Sequence, residues 1–391
     1  MEVATGIDSS YFVLDVPDLG WGVVPTARLL TFEATLPDGS SRTFTEPCTA
    51  DSDGSVSFRG LGSLLESYVA PVALSPSLLE TSGVTLHTLS RAAFSVTLTY
   101  GAEESPSTST LGSVAYYASR RVSQAPSGLR MWLSHYHRRE IGALQPLLFG
   151  TLAYPGIGVR LRVCWLSSGH LWTTFLTPAC PSPSSSSRPT EALVVCYSLD
   201  ALAALVNAVH PSAGECLASA IRLVCADLLD GVTVRDTLVF EVDPLPRRLR
   251  RLVAFTNCWG LPEVEDFWSS DERTTQLDGE YAWVSDSYRR VSTSSVTRHR
   301  LCTSYTSESH RENLLDLSVS PEVLLCSDGG SGEWRRMTVE DVDLTDLRPW
   351  SEPPVGYVTL RESDRHQCVV SRSASPLGEG IFDETFDETF E

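Results

Sequence analysis

The chain contains no lysine. All 30 of its basic residues are arginine, set against 49 acidic ones in 391 residues. That absence excludes a Schiff-base lysine and a phosphate-loop lysine, and with them several enzyme classes. It reads as a compositional bias, because isoleucine and asparagine are scarce too. No run of about 18 apolar residues occurs, so no transmembrane helix is expected. The ten cysteines, at 48, 164, 180, 196, 216, 225, 258, 302, 326 and 368, include no C-x-x-C pair. Zinc ribbons and fingers are thereby disfavoured, and thiols so scattered read as buried and reduced rather than as a disulfide framework. The opening "MEVATGIDSS" has neither the basic stretch nor the apolar stretch of a secretory signal, and none is expected. The patterns G-x-S-x-G, G-x-x-x-x-G-K-[ST], H-E-x-x-H and G-x-G-x-x-G are missing, so neither an enzyme nor a cofactor is expected.

What is present is acidic and apolar in a globular balance. The formal net charge is −19, with 42% hydrophobic and 20% charged residues. Such a surface repels phosphates and anionic lipid, so no nucleic-acid partner and no membrane insertion are expected. The length is that of two or three domains.

Alternating segments dominate. "SYFVLDVPDL", "ARLLTFEATLPDG", "AAFSVTLTYG" and "GSVAYYASRRV" read as strands, the last two separated by the turn-rich "AEESPSTST". "LRMWLSHYHRR" reads as a further strand region. Leu61, Leu64, Leu65 and Tyr68 recur at helical spacing before Pro71 and predict a short amphipathic helix. Leu199 to Val209 has helical periodicity and abundant alanine behind a strand-like start, which leaves helix and strand both open. "ACPSPSSSSRPT" at 179–190 is a Ser/Pro-rich loop. Short strands continue at regular intervals after Pro246. The expected fold is mainly β: two or three antiparallel β-sandwich or barrel-like domains with a few short helices. The expected divisions are 1–88, a middle β domain at 89–246, a last β domain at 247–375 and an acidic tail at 376–391.

Several stretches could carry chemistry. In "LVAFTNCWGLPEVEDFW" (252–268), Asn257, Gly260 and Pro262 read as a structural turn: a side chain bonding its own backbone, a positive φ and a fixed bend. Glu263, Glu265 and Asp266 could be paired carboxylates for glycoside cleavage, but that needs a cleft. They read as acids serving subunit contact or solvation. His135 and His137 would share one face of a strand. No third ligand adjoins them, and Arg138 and Arg139 would repel a cation, so structural histidines and no metal are expected. Trp259, Phe267, Trp268, Tyr281, Trp283 and Tyr288 could form a sugar-stacking surface, but they read first as core. In "PLPRRLRR", Arg247, Arg248, Arg250 and Arg251 suggest a hinge or an Arg-rich protein interface. In "FDETFDETFE", Phe382, Phe386 and Phe390 fall on one helical face; the tail reads first as a disordered acidic segment, and the alternative is a segment that folds on docking to a partner.

Three segments together carry a resemblance: "DGSVSFRGLGSLLESYV", "WTTFLTP" and "LVAFTNCWGLPEVEDFW…ERTTQLDGEYAWV…YRRVSTSS". Their order resembles β-rich tail or baseplate proteins of prophage-type gene clusters in gut bacteria, over roughly residues 50–370. The missing lysine and the Ser/Pro loop depart from that pattern. The resemblance implies no catalytic residues. It implies a non-enzymatic structural subunit of a phage tail or tail-like particle (tail tip, distal tail or baseplate), assembled in the host cytoplasm. Its partners would be other particle proteins and further copies of itself. The alternative is a surface adhesin or carbohydrate-binding β-sandwich protein with a glycan receptor.

Overall fold

The segments "LLFGTL" (147–152) and "ALVVCY" (192–197) show almost no polar alternation, as a strand covered on both faces should. In the computed structural model these strands, Leu147–Leu152 and Glu191–Tyr197, pair antiparallel, and Gly83–Thr88 completes a three-stranded sheet. One face of this central sheet, with Leu147, Phe149, Leu193 and Val195, packs on a five-stranded sheet through Val159, Leu161, Val163, Val224, Leu238 and Phe240. That second sheet runs His170–Leu176, Ile157–Ser167, Ile221–Asp230, Thr233–Asp243 and Arg138–Gly142, the last pair parallel.

The other face of the central sheet, with Leu148, Val194 and Cys196, packs on Leu252, Ala254, Val264 and Leu324. These belong to the last sheet, whose strands all lie between 251 and 367 and whose edge is Pro262–Phe267. The far side of that sheet, with Val253, Phe255, Leu325 and Leu360, is covered by Leu314 and Leu317 of the helix Glu308–Ser318. The order of layers is therefore sheet, central sheet, sheet, helix. A further five-stranded sheet, built from 11–12, 27–35, 41–47, 91–102 and 105–116, has its own core with the helix Leu61–Glu66. The protein is mainly β, with 52% strand against 13% helix, and no closed barrel forms among the described residues.

The structure describes residues 10–367 apart from 25, 185–187, 212–213, 245–249, 268–269, 285–286, 304–306, 327–332, 345–354 and 363–365. Within the strands at 270–295 and at 366–367, the side chains of 270–271, 277–284, 287–295 and 366–367 are also outside the description. Arg247, Arg248, Phe382, Phe386, Phe390 and Trp268 lie outside the described residues, as do the side chains of Tyr281, Trp283 and Tyr288. The nine cysteines described are all free.

The helix expected from Leu61, Leu64, Leu65 and Tyr68 spans Leu61–Glu66, with Leu61 and Leu65 buried. Leu199–Val209 is a helix, because the Ser198 hydroxyl accepts the Ala201 N–H at its N-terminus and Leu199, Leu202, Ala203 and Val206 face the core. Three expectations need correction. The segment "SPSTST" is strand rather than turn: the hairpin turns at 103–104, and Pro106 is tolerated because this end of Ser105–Tyr116 lies at the sheet edge. Residues 131–137 are irregular, since their backbone groups are used between sheets; Trp132 N–H reaches Asp236 and Leu133 N–H reaches the Gly150 carbonyl. A division after residue 88 cuts through one sheet, where Ala27–Thr35 pairs with Arg91–Ala102.

Candidate functional site

Strands Arg251–Thr256 and Pro262–Phe267 form a hairpin closed by Asn257 to Leu261. The Asn257 carboxamide oxygen accepts the N–H groups of Trp259 (3.1 Å) and Leu261 (3.0 Å), folding the turn around one side chain. Its Nδ2 donates to the Leu133 carbonyl (2.7 Å) and to Glu263 Oε1 (2.8 Å). Gly260 has φ +81°, and a Cβ there would lie 2.6 Å from the Tyr117 ring and 3.3 Å from Pro71 Cα. The Gly260 carbonyl accepts Val72 N–H, and the Cys258 carbonyl accepts Ser119 N–H. Pro262 opens the buried strand that follows. The turn is thus pinned to three other parts of the chain, at Leu133, Val72 and Ser119.

Gly260→Ala is expected to cost about 2–3 kcal/mol, combining backbone strain with the overlap at Tyr117. Gly128→Ala makes the comparison: its φ is +76°, but a Cβ would meet open space. It should cost only about 1 kcal/mol. Chemical denaturation of both variants measures the difference.

The acids after the turn are not exposed. All six residues of Pro262–Phe267 are buried, although the strand stands at the edge of its sheet. Glu263 Oε2 accepts from Arg139 NH2 (3.0 Å) and from Ser134 Oγ (3.2 Å). Glu265 lies 3.0 Å from His310 Nε2 and accepts from Asn313 Nδ2 at 2.9 Å. Burial alone would raise the Glu265 carboxyl; His310, Arg139 and Asn313 outweigh it and hold the carboxyl below its ordinary value. Asp266 pairs with Arg250 NH1, whose NH2 contacts Asp243 at 2.7 Å. Burial pushes Asp266 up to about 7, Arg250 opposing it.

This overturns the reading of these acids as groups for solvation or subunit contact. Glu263 joins the last sheet to the middle of the chain through Arg139 and Ser134, Asp266 reaches Asp243 there through Arg250, and Glu265 ties its strand to the helix Glu308–Ser318. Arg250 is corrected with them: it is 7% exposed and is held between two carboxylates, so it is not an interface residue. Arg251 is half-buried and donates to the Arg250 carbonyl. Trp259 and Phe267 are core.

Beside the turn lies a second cluster. His135 Nε2 is 3.4 Å from Cys258 Sγ, 3.6 Å from Asp316 Oδ2 and 2.8 Å from Arg120 NH2. Arg120 also contacts Asp316 (2.6 Å) and Glu312 (2.8 Å). Burial, then Arg120, lowers His135 to about 4, and burial raises Asp316 to about 7. Burial, then Asp316, pushes the Cys258 thiol up. A raised, fully buried thiol is a poor nucleophile. The groups also converge on one ring nitrogen, so the imidazole cannot relay a proton from thiol to carboxylate. His137 turns away, 3.5 Å from Asp236.

Neither of two surface recesses contains these groups. One, of about 610 Å³, lies near Thr35, Arg91 and Arg188; another, of about 490 Å³, lies near Trp334 and Arg335. Sequence reading did not single out Arg120, Ser134, His310, Asn313 or Asp316. For the helix residues a signal existed: polar His310, Asn313 and Asp316 recur at a spacing of three beside apolar Leu314 and Leu317 on a capped helix. No family model matches the chain, and comparison with curated proteins returns no match.

Proposed function

We propose that this chain is a non-enzymatic structural subunit that acts by assembling with other protein chains, and that the assembly is a phage tail or tail-like particle. The particle rests on the segment resemblance alone. The assembly role is supported by where polar and apolar groups lie. The carboxylates best suited to hydrolysis are buried and paired inside the fold, with no cleft between them for a sugar.

Exposed apolar residues gather instead on His170–Leu176, an edge strand: Leu171 is 64% exposed and Phe175 53%. An unpaired edge with apolar side chains is a template for another chain. This arrangement favours protein contact over sugar stacking. Trp172 stacks toward Trp165 (6.4 Å), whereas Phe175, three residues on, lies under Arg160 on the opposite face. The two rings cannot form one platform.

Analytical ultracentrifugation over a concentration series is the test. The protein should self-associate or co-sediment with particles. Leu171→Asp with Phe175→Asp should weaken association at least tenfold while leaving the unfolding temperature unchanged. A strictly monomeric protein with no particle-associated partner would count against the proposal, and specific binding on a glycan array would favour the adhesin instead.

A further inference from the structure

One ligand atom from each of His135, Cys258 and Asp316 lies within 4.8 Å of the others. Around a tetrahedral ion with bonds of about 2.0–2.3 Å, neighbouring ligand atoms stand about 3.3–3.7 Å apart. The imidazole nitrogen is 3.4 Å from the sulfur and 3.6 Å from the carboxylate, so both of its distances already match ligand spacing. An imidazole, a thiolate and a carboxylate suit zinc or cobalt rather than magnesium or calcium.

Two further observations point to a cation here. Arg120 places its guanidinium against the same imidazole and carboxylate, so the niche already selects positive charge. Asp316 is fully buried, and its Oδ1, though 2.6 Å from Arg120 Nε, makes no aligned hydrogen bond. Access also exists. Cys258 and Asp316 are sealed, whereas the Arg120 and His135 side chains keep 24% and 27% exposure. Arg120 covers the niche, and the half-exposed Glu312 beside it can hold the guanidinium when it turns outward.

We propose that His135 Nε2, Cys258 Sγ and Asp316 form a binding site for a zinc-class divalent ion, entered when Arg120 swings out onto Glu312. Water fills the fourth position. Three metal–protein bonds form, the Cys258 thiol releases its proton to solvent, and no electron moves. The ion's two positive charges then balance one thiolate and one carboxylate. The bound ion ties the 257–262 turn to the 131–137 segment and to the helix Glu308–Ser318. The expectation of no metal considered only ligands near His135 in sequence; these two are 123 and 181 positions away.

The test is titration of the chelator-treated full chain with Co²⁺ at pH 8. One equivalent should bind, with a sulfur-to-cobalt charge-transfer band that zinc abolishes by displacement, and one proton should be released. Cys258→Ser should lose the band and Cys164→Ser should keep it. His135→Ala should weaken binding at least tenfold, and Arg120→Ala should tighten it about tenfold. Differential alkylation of the unaltered protein covers the case of a variant that does not fold: zinc should slow modification of Cys258 above that of the other thiols. No band in either the unaltered protein or Arg120→Ala overturns the proposal. So does a band that persists in Cys258→Ser, or zinc protection confined to other cysteines.

Discussion

Arg139→Ala is expected to lower the free energy of unfolding by about 3–5 kcal/mol, the cost of leaving a buried ionic partner alone. Arg139 is 3% exposed and Glu263 is 0% exposed. The guanidinium is committed in every direction. NH2 donates to Glu263 (3.0 Å) and to Ser134 Oγ (2.7 Å), and Nε donates to the Tyr136 carbonyl (3.0 Å). The rings of Tyr136 and Phe240 lie 5.2 and 5.6 Å from it. After truncation, the buried Glu263 keeps only the neutral donors Ser134 and Asn257. Arg138, one residue earlier, pairs with Glu241 at the surface, where its side chain is 76% exposed. Arg138→Ala should therefore cost no more than about 1 kcal/mol. Arg139→Met combined with Glu263→Gln should recover most of the loss, because a neutral pair no longer carries the charge-burial cost. Denaturant unfolding of the parent and these three variants measures the costs, and adding Arg139→Met and Glu263→Gln alone completes the cycle that gives the coupling. Equal costs for Arg138→Ala and Arg139→Ala would show that the Glu263 contact does not hold the sheets together.

Much of the fold was legible because local patterns matched the layers. Alternation marked the sheets with one open face, and the unbroken apolar runs at 147–152 and 192–197 belong to the sheet covered twice. The irregular segment at 131–137 was not legible. Its alternating side chains look like a strand, but its N–H groups bond singly to Asp236, Ser134 and the Gly150 carbonyl rather than in a ladder along one strand. Nothing local encodes the partners Asp236 and Gly150.

The candidate site divides the same way. Asn257 and Gly260 shape the turn within a few residues of themselves, so turn chemistry exposed that role, but not their contacts with Leu133, Tyr117 and Val72. Glu263 and Glu265 alternate around Val264, which is a strand signal, yet charge normally marks a solvent face and so argued for exposure. Their donors are remote: Arg139 is 124 positions from Glu263, and Asn313 is 48 from Glu265. The His135 cluster is drawn from three segments with no spacing rule between them. Only the packing of helix, turn and inter-sheet segment brings it together.

Asp266→Asn is expected to remove a large pH dependence of stability between about pH 4 and pH 7. Unfolded, the Asp266 carboxyl ionises near its ordinary 3.8; folded, burial pushes it up to about 7 despite Arg250. Between those values the folded protein keeps a proton that the unfolded chain has released. Raising the pH through that window therefore favours unfolding: the contribution is complete below about pH 4 and gone by about pH 7. Three pH units at about 1.4 kcal/mol each set an upper scale, and about 2–4 kcal/mol is expected. Asparagine removes the titration and leaves Arg250 its Asp243 partner at 2.7 Å. The variant should match the parent within about 1 kcal/mol at pH 5 and exceed it by about 2–4 kcal/mol at pH 8. Other groups do not mimic this difference. His135, lowered to about 4, makes stability rise from pH 4 toward 6.5, but both proteins carry it and it cancels. Glu265, held below its ordinary value, acts at more acidic pH. Urea unfolding of both proteins from pH 5 to 8 measures the two curves, and a constant gap between them would show that Asp266 is ionised in the fold throughout.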